Sequence, residues 1–486
     1  MDFEWYLNIT GGDYLVPLTG LPNYPDFRLG NPKTFPDIRS QAREYRARNV
    51  KFGGIRKPRL GDQDLLSMAW AKGWLQSRGT SGRGRTRDLN FALPDVREWY
   101  ANQTRMFRTR TENMPDFYWN DEGETSYFTY HHWVEAQQLA SAKDDSRRRR
   151  FSLNRAFTPG CQRLESFAVW TGDVTTTWES LQQNVDMLVR WSEAGAPLVG
   201  FDIGGFVGPQ PEDSYAELLV RWYQLGAFAG VMRVHSILGN KPHFPFPELW
   251  GDQAAATMKQ AVALRYKLLP TIMTSMYQMM FFGIPWVERR VFDNRQALDF
   301  LFANRTIFVA PIVQPMNQTR RRYVQFPENS AWYPLFISAA PIIQTPSVTL
   351  EDIKLDDIPV FARAGSIVLL HGTDISETSR VTEIVGGRHD VIIMIFCSPD
   401  NSGVDEFTSV LSEDDGETYN PDSVRFTEFT FNQKASRLSW KPFGNSAVPR
   451  WYDEAKVVLR RPDGSEIESI ISLEANVTSL TFSQKP

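Results

Sequence analysis

Over the first 282 residues, short apolar runs alternate with amphipathic stretches, and no other feature of the chain restricts its fold as much. Residues 51–55 follow a helical stretch over 38–48, residues 116–119 follow one over 96–113, and residues 151–153 follow one that opens at His132. The run Ala168-Val169-Trp170 comes next, and residues 197–201 follow the stretch 181–194. Alternation of this kind produces parallel strands joined by crossover helices. So many units in succession predict a (β/α) barrel, in which functional side chains stand at the C-terminal ends of the strands. One helix over 254–281 is expected to close this part.

After Gly283 the texture changes. Short β-branched runs punctuated by Gly and Pro occupy 307–309, 323–326, 358–361 and 366–370, and more follow at 390–396 and 425–431. That pattern is all-β, in two small sandwiches. The expected class is therefore α/β plus all-β. The 486 residues exceed what one core sustains, and the expected division is a catalytic barrel over 1–283, a proximal sandwich over 284–372 and a distal one over 373–486.

Composition removes several function classes. A net charge of −4 gives no general attraction to polyanions. The run Arg147-Arg148-Arg149-Arg150 reads as a solvated loop or helix end, so no nucleic-acid partner is expected. Two cysteines, Cys161 and Cys397, cannot build a disulfide framework or a thiolate metal cluster. The most apolar stretch, 269–287, is interrupted by Pro270, Gln278 and Pro285, so no membrane span is expected. Aromatic residues reach 13%. Core packing accounts for most such rings, and a sugar-binding protein needs others, because a pyranose offers an apolar face for stacking.

Acids collect where the apolar runs end. Trp119-Asn120-Asp121-Glu122-Gly123-Glu124 places three carboxylates in four residues after a strand. Trp170-Thr171-Gly172-Asp173 repeats the arrangement, and Gly200-Phe201-Asp202-Ile203-Gly204-Gly205-Phe206 sets an acid among glycines. Arg155 ends the strand between the first two, and Met232-Arg233-Val234-His235 follows the third. Each alone reads as a capped helix start or a structural side chain. Several carboxylates with an Arg, a His and many Trp around one barrel mouth suit glycoside hydrolysis, which needs two carboxyl groups astride the scissile bond. Neither a His/Cys metal cluster, nor a Gly-rich phosphate loop, nor a Gly-x-Ser-x-Gly elbow is present, and no metal or cofactor is expected.

These segments resemble the catalytic part of glycoside hydrolase family 31, the α-glucosidase and α-xylosidase family. Its Trp-x-Asp-x-x-Glu motif is matched by Trp119, Asp121 and Glu124, and its Trp-x-Gly-Asp motif by Trp170, Gly172 and Asp173. Arg155 matches its strand-end arginine. Its Gly-x-Asp-x-x-Gly-Phe motif is matched by Gly200, Asp202, Gly205 and Phe206, and its Met-Arg-x-His motif by Met232, Arg233 and His235. Further likeness lies at Val309-Ala310-Pro311, at residues 358–366 and at residues 413–419. The resemblance implies a retaining α-glycosidase acting on α-linked oligosaccharides or glycosides through a covalent glycosyl-enzyme. Asp121 would be the nucleophile and Asp173 the general acid/base. Arg155, Asp202 and His235 would bind the sugar, Trp119, Trp170 and Phe206 would wall the pocket, and Glu124 would hold the nucleophile.

The chain also departs from the family pattern. The family's N-terminal β-sandwich and first barrel strand have no counterpart, and residues 2–5 read as strand two, so a seven-stranded barrel is expected. On that reading, the chain alone would be poorly soluble or inactive. Leu7 and Ile9 stand where the family has a sugar-binding Asp, and Asp13 replaces it only after a shift. Glu122-Gly123 stands where the family usually has Met-Asn. A transglycosylase of the same fold, or an inactive relative that only binds carbohydrate, are the other readings. The start reads as a strand and not as a leader peptide. Asn-x-Thr acceptor sites at Asn8, Asn102, Asn304, Asn317 and Asn476 lean toward a secretory or extracellular setting.

Overall fold

The computed structural model describes residues 37–482 apart from short internal segments, of which 78–87 and 373–388 are the longest. The strand expected over residues 2–5 and the candidate residues Asp13 and Glu124 lie outside the described residues. Helix α1 (Ile38–Ala47) leads into a parallel sheet of six strands that are hydrogen-bonded in sequence order. These are β1 (Gly53–Arg56), β2 (Phe117–Asn120), β3 (Ser152–Asn154), β4 (Phe167–Trp170), β5 (Leu198–Ile203) and β6 (Val231–Val234). Helices α2 (Gln63–Ala71) and α3 (Pro94–Arg110) join β1 to β2, and α4 (Tyr127–Asp144) joins β2 to β3. Helices α5 (Trp178–Glu193) and α6 (Tyr215–Gly226) flank β5.

These strands are covered on both faces, so even their polar residues are buried: every residue of β2, β4 and β5 is buried, Asn120 and Asp202 included. The crossover helices show the complementary pattern. In α5, Leu181, Val185, Leu188 and Val189 are buried at spacings of three and four, one stripe against the sheet. Thr177 starts that helix by accepting a hydrogen bond from the Ser180 amide at 3.1 Å.

The helix expected over 254–281 is two helices. After the short α7 (Pro247–Trp250), α8 (Asp252–Lys267) ends and α9 (Leu269–Phe282) begins at Leu268. The reason is Pro270, which has no amide proton to give and fits only the first turn of a new helix. Gly283, with φ of +67°, ends α9 in the left-handed conformation.

A five-stranded sheet follows, in the order β11 (Trp332–Pro334), β13 (Val360–Arg363), β9 (Ile307–Val309), β8 (Phe300–Phe302) and β7 (Val287–Arg289). The ribbon of β10 (Arg322–Gln325) and β12 (Ser347–Leu350) packs on it through Val324, Phe326, Phe308 and Trp332. Two four-stranded sheets complete the described chain. One has the order β14 (Ser366–His371), β15 (His389–Phe396), β19 (Tyr452–Arg460), β20 (Glu466–Ser472). The other runs β16 (Glu406–Asp414), β17 (Val424–Asn432), β18 (Arg437–Gly444), β21 (Ser479–Thr481). Alternate residues such as Ile393, Ile395, Phe429, Phe431, Val457 and Leu459 form the core between them.

Strand β14, grouped in the sequence with the middle segment, pairs with β15 and so joins this last sandwich. All six of its residues are buried. Ile367 and Leu369 enter the sandwich core, whereas Val368 and Leu370 enter the core shared with the barrel. The arginine run at 147–150 is solvated only in part: Arg147 is exposed, whereas the next two are half-buried and Arg150 is buried. Arg148 meets Asp116 at 3.4 Å, Arg149 meets Asp414 of β16 at 2.7 Å, and Arg150 is buried with its guanidinium 3.5 Å from the Ser141 carbonyl. Among the described residues, no helix is long and apolar enough to cross a membrane.

Candidate active site

The register of the parallel sheet brings the candidate side chains to one end. Asn120 of β2 pairs with Asn154 of β3, so the next residues, Asp121 and Arg155, are neighbours. Asp202 of β5 pairs with Arg233 of β6. Asp173 reaches the same end through Gly172, whose φ of +80° favours glycine.

Arg155 joins the two expected catalytic acids. Its Nη1 donates to Asp121 Oδ1 at 3.2 Å and to Asp173 Oδ2 at 3.1 Å. One nitrogen serves both, so those two oxygens are within about 6 Å of each other. Their surroundings differ: the Asp121 side chain is 2% exposed and that of Asp173 is 40% exposed. One carboxylate is deep, and the other stands at the mouth where water reaches it.

A second cationic group closes on Asp121 from β1. Lys57 Nζ lies 3.4 Å from Asp121 Oδ2 and 2.5 Å from Glu122 Oε1. Arg59 contacts the other oxygen of Glu122. Glu122 has φ of +66°, a conformation that costs a residue with a side chain about 1–3 kcal/mol. These ion pairs, and its amide donating to Asp121 Oδ1 at 2.9 Å, hold it there. Gly123 follows at φ of +96°, and a Cβ there would stand 2.4 Å from the Tyr130 ring.

Beneath the acids lies a layer of amide side chains. Asn120 Nδ2 donates to Asn154 Oδ1 at 2.8 Å and to Gln137 Oε1 at 2.9 Å, and Gln137 Nε2 returns a bond to Asn120 Oδ1 at 2.8 Å. Asn154 Nδ2 donates to the Ala168 carbonyl at 3.0 Å. These bonds tie β2, β3, β4 and α4 together directly under Asp121 and Arg155.

Asp202 is fully buried, 3.0 Å from Arg233 Nη1. Burial, with Asp173 and Asp121 adding negative charge nearby, raises its carboxyl to about 7 against the opposing pull of Arg233 and Arg155. The Arg233 guanidinium lies 4.5 Å from the Trp119 ring and 5.1 Å from Trp170, both buried. His235 stands edge-on to Trp119 at 5.0 Å and stacks on Phe206 at 5.2 Å. Burial, followed by the charge of Arg233, pushes His235 well below the usual imidazole range, so the ring is neutral. Behind it, burial lowers His243 to about 4. Neutral His243 donates from Nδ1 to the Ile203 carbonyl at 2.7 Å and accepts from Tyr215 at Nε2. A Cβ at Gly205 would stand 2.6 Å from the Thr175 carbonyl, which explains the glycine where the loops after β4 and β5 touch.

A model of the glycosyl hydrolases family 31 TIM-barrel domain matches residues 2–275, more than half of the chain, and a model of the family 31 C-terminal domain matches 273–368. The chain belongs to glycoside hydrolase family 31. Among its relatives, neutral alpha-glucosidase AB of Dictyostelium discoideum is 28% identical over 393 residues, 73% of this chain and 39% of that protein. Neutral alpha-glucosidase C of Homo sapiens is 30% identical over 346 residues, 63% of this chain and 36% of that protein. The crystal structure of a glucosidase II alpha subunit bound to alpha3-Glc2 superposes with a TM-score of 0.74 at 21% identity, over 88% of this chain and 50% of that one. The chain thus spans half or less of the length of these relatives. At that identity the structural likeness speaks for the fold: a family 31 barrel with C-terminal β-domains.

Of the residues singled out in the sequence, the fold brings Asp121, Arg155 and Asp173 into direct contact, and it brings Asp202, His235, Trp119, Trp170 and Phe206 together around Arg233. Sequence reasoning passed over Lys57, Asn120, Asn154 and Gln137. Lys57 carried a usable signal, since Arg56-Lys57 ends an apolar run just as the acids do. The amide layer carried none, because Gln137 sits mid-helix with nothing local to mark it.

Proposed function

We propose that this chain carries the active site of a retaining α-glycosidase that acts on α-linked oligosaccharides or glycosides, as its relatives' names suggest for glucosides. The observation that supports it most is the single Arg155 nitrogen between Asp121 and Asp173. The resulting limit of about 6 Å between the two nearer oxygens is compatible with the roughly 5–5.5 Å spacing of retaining enzymes. Asp121, deep and flanked by Lys57 and Arg155, attacks the anomeric carbon. Asp173, at the mouth, protonates the departing oxygen and then takes a proton from the water that releases the sugar.

Asp202 is too deeply buried to meet a sugar and acts through Arg233, which it orients against Trp119 and Trp170. Neutral His235 is left to hydrogen-bond a hydroxyl. We also propose the division into barrel, middle β-domain and distal sandwich, with the middle one ending before β14.

The test is anomeric NMR on a series of 4-nitrophenyl α-glycosides. The first sugar released is expected as the α-anomer. First appearance of the β-anomer would sink the retaining assignment, and binding without turnover across the series would favour the inactive carbohydrate-binding relative.

A further inference from the structure

No metal ligands were expected from the sequence, yet helix α4 brings together three side chains of the kinds that ligate metals. His131, His132 and Glu135 stand half-exposed, and one ligand atom from each lies within 4.8 Å of the other two. Residues 131 and 132 are four and three positions from 135, so both share a helix face with the carboxylate. Adjacent histidines diverge by about 100° on a helix, which hides such a pair in the sequence. Here the rings turn toward each other, with centroids 3.8 Å apart and planes at 43°. His132 Nδ1 lies 2.8 Å from Glu135 Oε2. That is somewhat shorter than the edge of roughly 3.4 Å between neighbouring ligands of a tetrahedral ion with bonds about 2.1 Å long, so the pair needs to open only slightly to take one. The other histidines, His235, His243, His371 and His389, are all buried, so this pair holds the chain's accessible imidazoles.

We propose that His131, His132 and Glu135 bind a divalent transition-metal ion, with Zn²⁺ the natural candidate and water completing its shell. Two imidazoles and one carboxylate suit Zn²⁺, whereas Mg²⁺ and Ca²⁺ call for oxygen ligands. Binding replaces the contact between His132 and Glu135 with bonds from each of them to the ion. The site adjoins Tyr130, whose hydroxyl donates to the Asn120 carbonyl at 3.3 Å and whose ring packs beside Gly123. A bound ion therefore pins the helical turn that supports the end of β2, the strand leading to Asp121.

The test is calorimetric titration of the 486-residue chain with ZnCl₂ in a buffer that does not chelate zinc, with MgCl₂ in parallel. One Zn²⁺ per chain is expected, with affinity weakened at least about tenfold in His132→Ala and in Glu135→Gln. A rise in Tm with Zn²⁺ is expected in the native chain and not in the variants, whose circular dichroism reports an intact fold. A flat Zn²⁺ isotherm would overturn the proposal. So would unchanged affinity in the double variant His131→Ala/His132→Ala, or equal affinity for Mg²⁺.

Discussion

At the scale of single residues, Arg155, Asp121 and Asp173 form one electrostatic unit, and their replacement should have unequal effects. Asp121→Asn keeps the shape and removes the proposed nucleophile, so turnover of an aryl α-glycoside should fall roughly 10⁴-fold or more with the melting curve little changed. Near-native rates would remove Asp121 from the mechanism. Asp173→Ala should lose roughly 10²–10⁴-fold on poor leaving groups and far less on activated ones, with azide restoring part of the rate. Equal losses on both substrate types, without rescue, would count against its role. Asp202 makes a prediction about stability. Its folded pKa of about 7 lies above the unfolded value, so the stability it lends is full below about pH 4 and is lost as pH rises through 7. Denaturant midpoints should therefore fall less between pH 4 and 7 in Asp202→Asn than in the native chain. Parallel slopes would show that Asp202 is ionised throughout.

At the scale of elements, what could be read from the sequence was what local chemistry dictates. The largely apolar strands β2, β4 and β5 announce burial on both faces, and the acids at or after their ends mark the end of the sheet where the candidate site gathers. Pro270 was in view and should have divided the last helix, but the apolar pattern on both sides of it outweighed the missing amide. The partner of β14 could not be read, because Ser366–His371 is buried on both faces and its apolar run suits either sheet. The amide layer was equally hidden, since Asn120, Gln137 and Asn154 become neighbours only through sheet register and helix packing. Asn154→Leu strips partners from Asn120 and from the Ala168 carbonyl. It should cost about 1–3 kcal/mol for each polar group left buried and unpaired, read as a lowered urea midpoint. A midpoint within error of the native one would mean the layer is not structural.

At the scale of the molecule, the barrel and the distal sandwich are joined by polar contacts that a one-dimensional reading took for a solvated charge run. Asp414 is buried, and it receives Arg149 at 2.7 Å and the Tyr277 hydroxyl at 2.5 Å. Tyr277 lies on α9, so one carboxylate of β16 gathers the barrel's arginine run and its closing helix. Arg149→Ala should destabilise by about 1–3 kcal/mol, and it should broaden or split the unfolding transition as the distal sandwich melts separately. A single sharp transition at the native midpoint would show that apolar packing alone joins the two. The central claim remains that Asp121 forms a covalent bond to the sugar. It is tested most directly by incubating the chain with 5-fluoro-α-glucosyl fluoride, then locating the trapped sugar by peptide mass spectrometry. The expected result is one sugar per chain, on the peptide containing Asp121. A sugar on Asp173, Asp202 or any other carboxylate would contradict it.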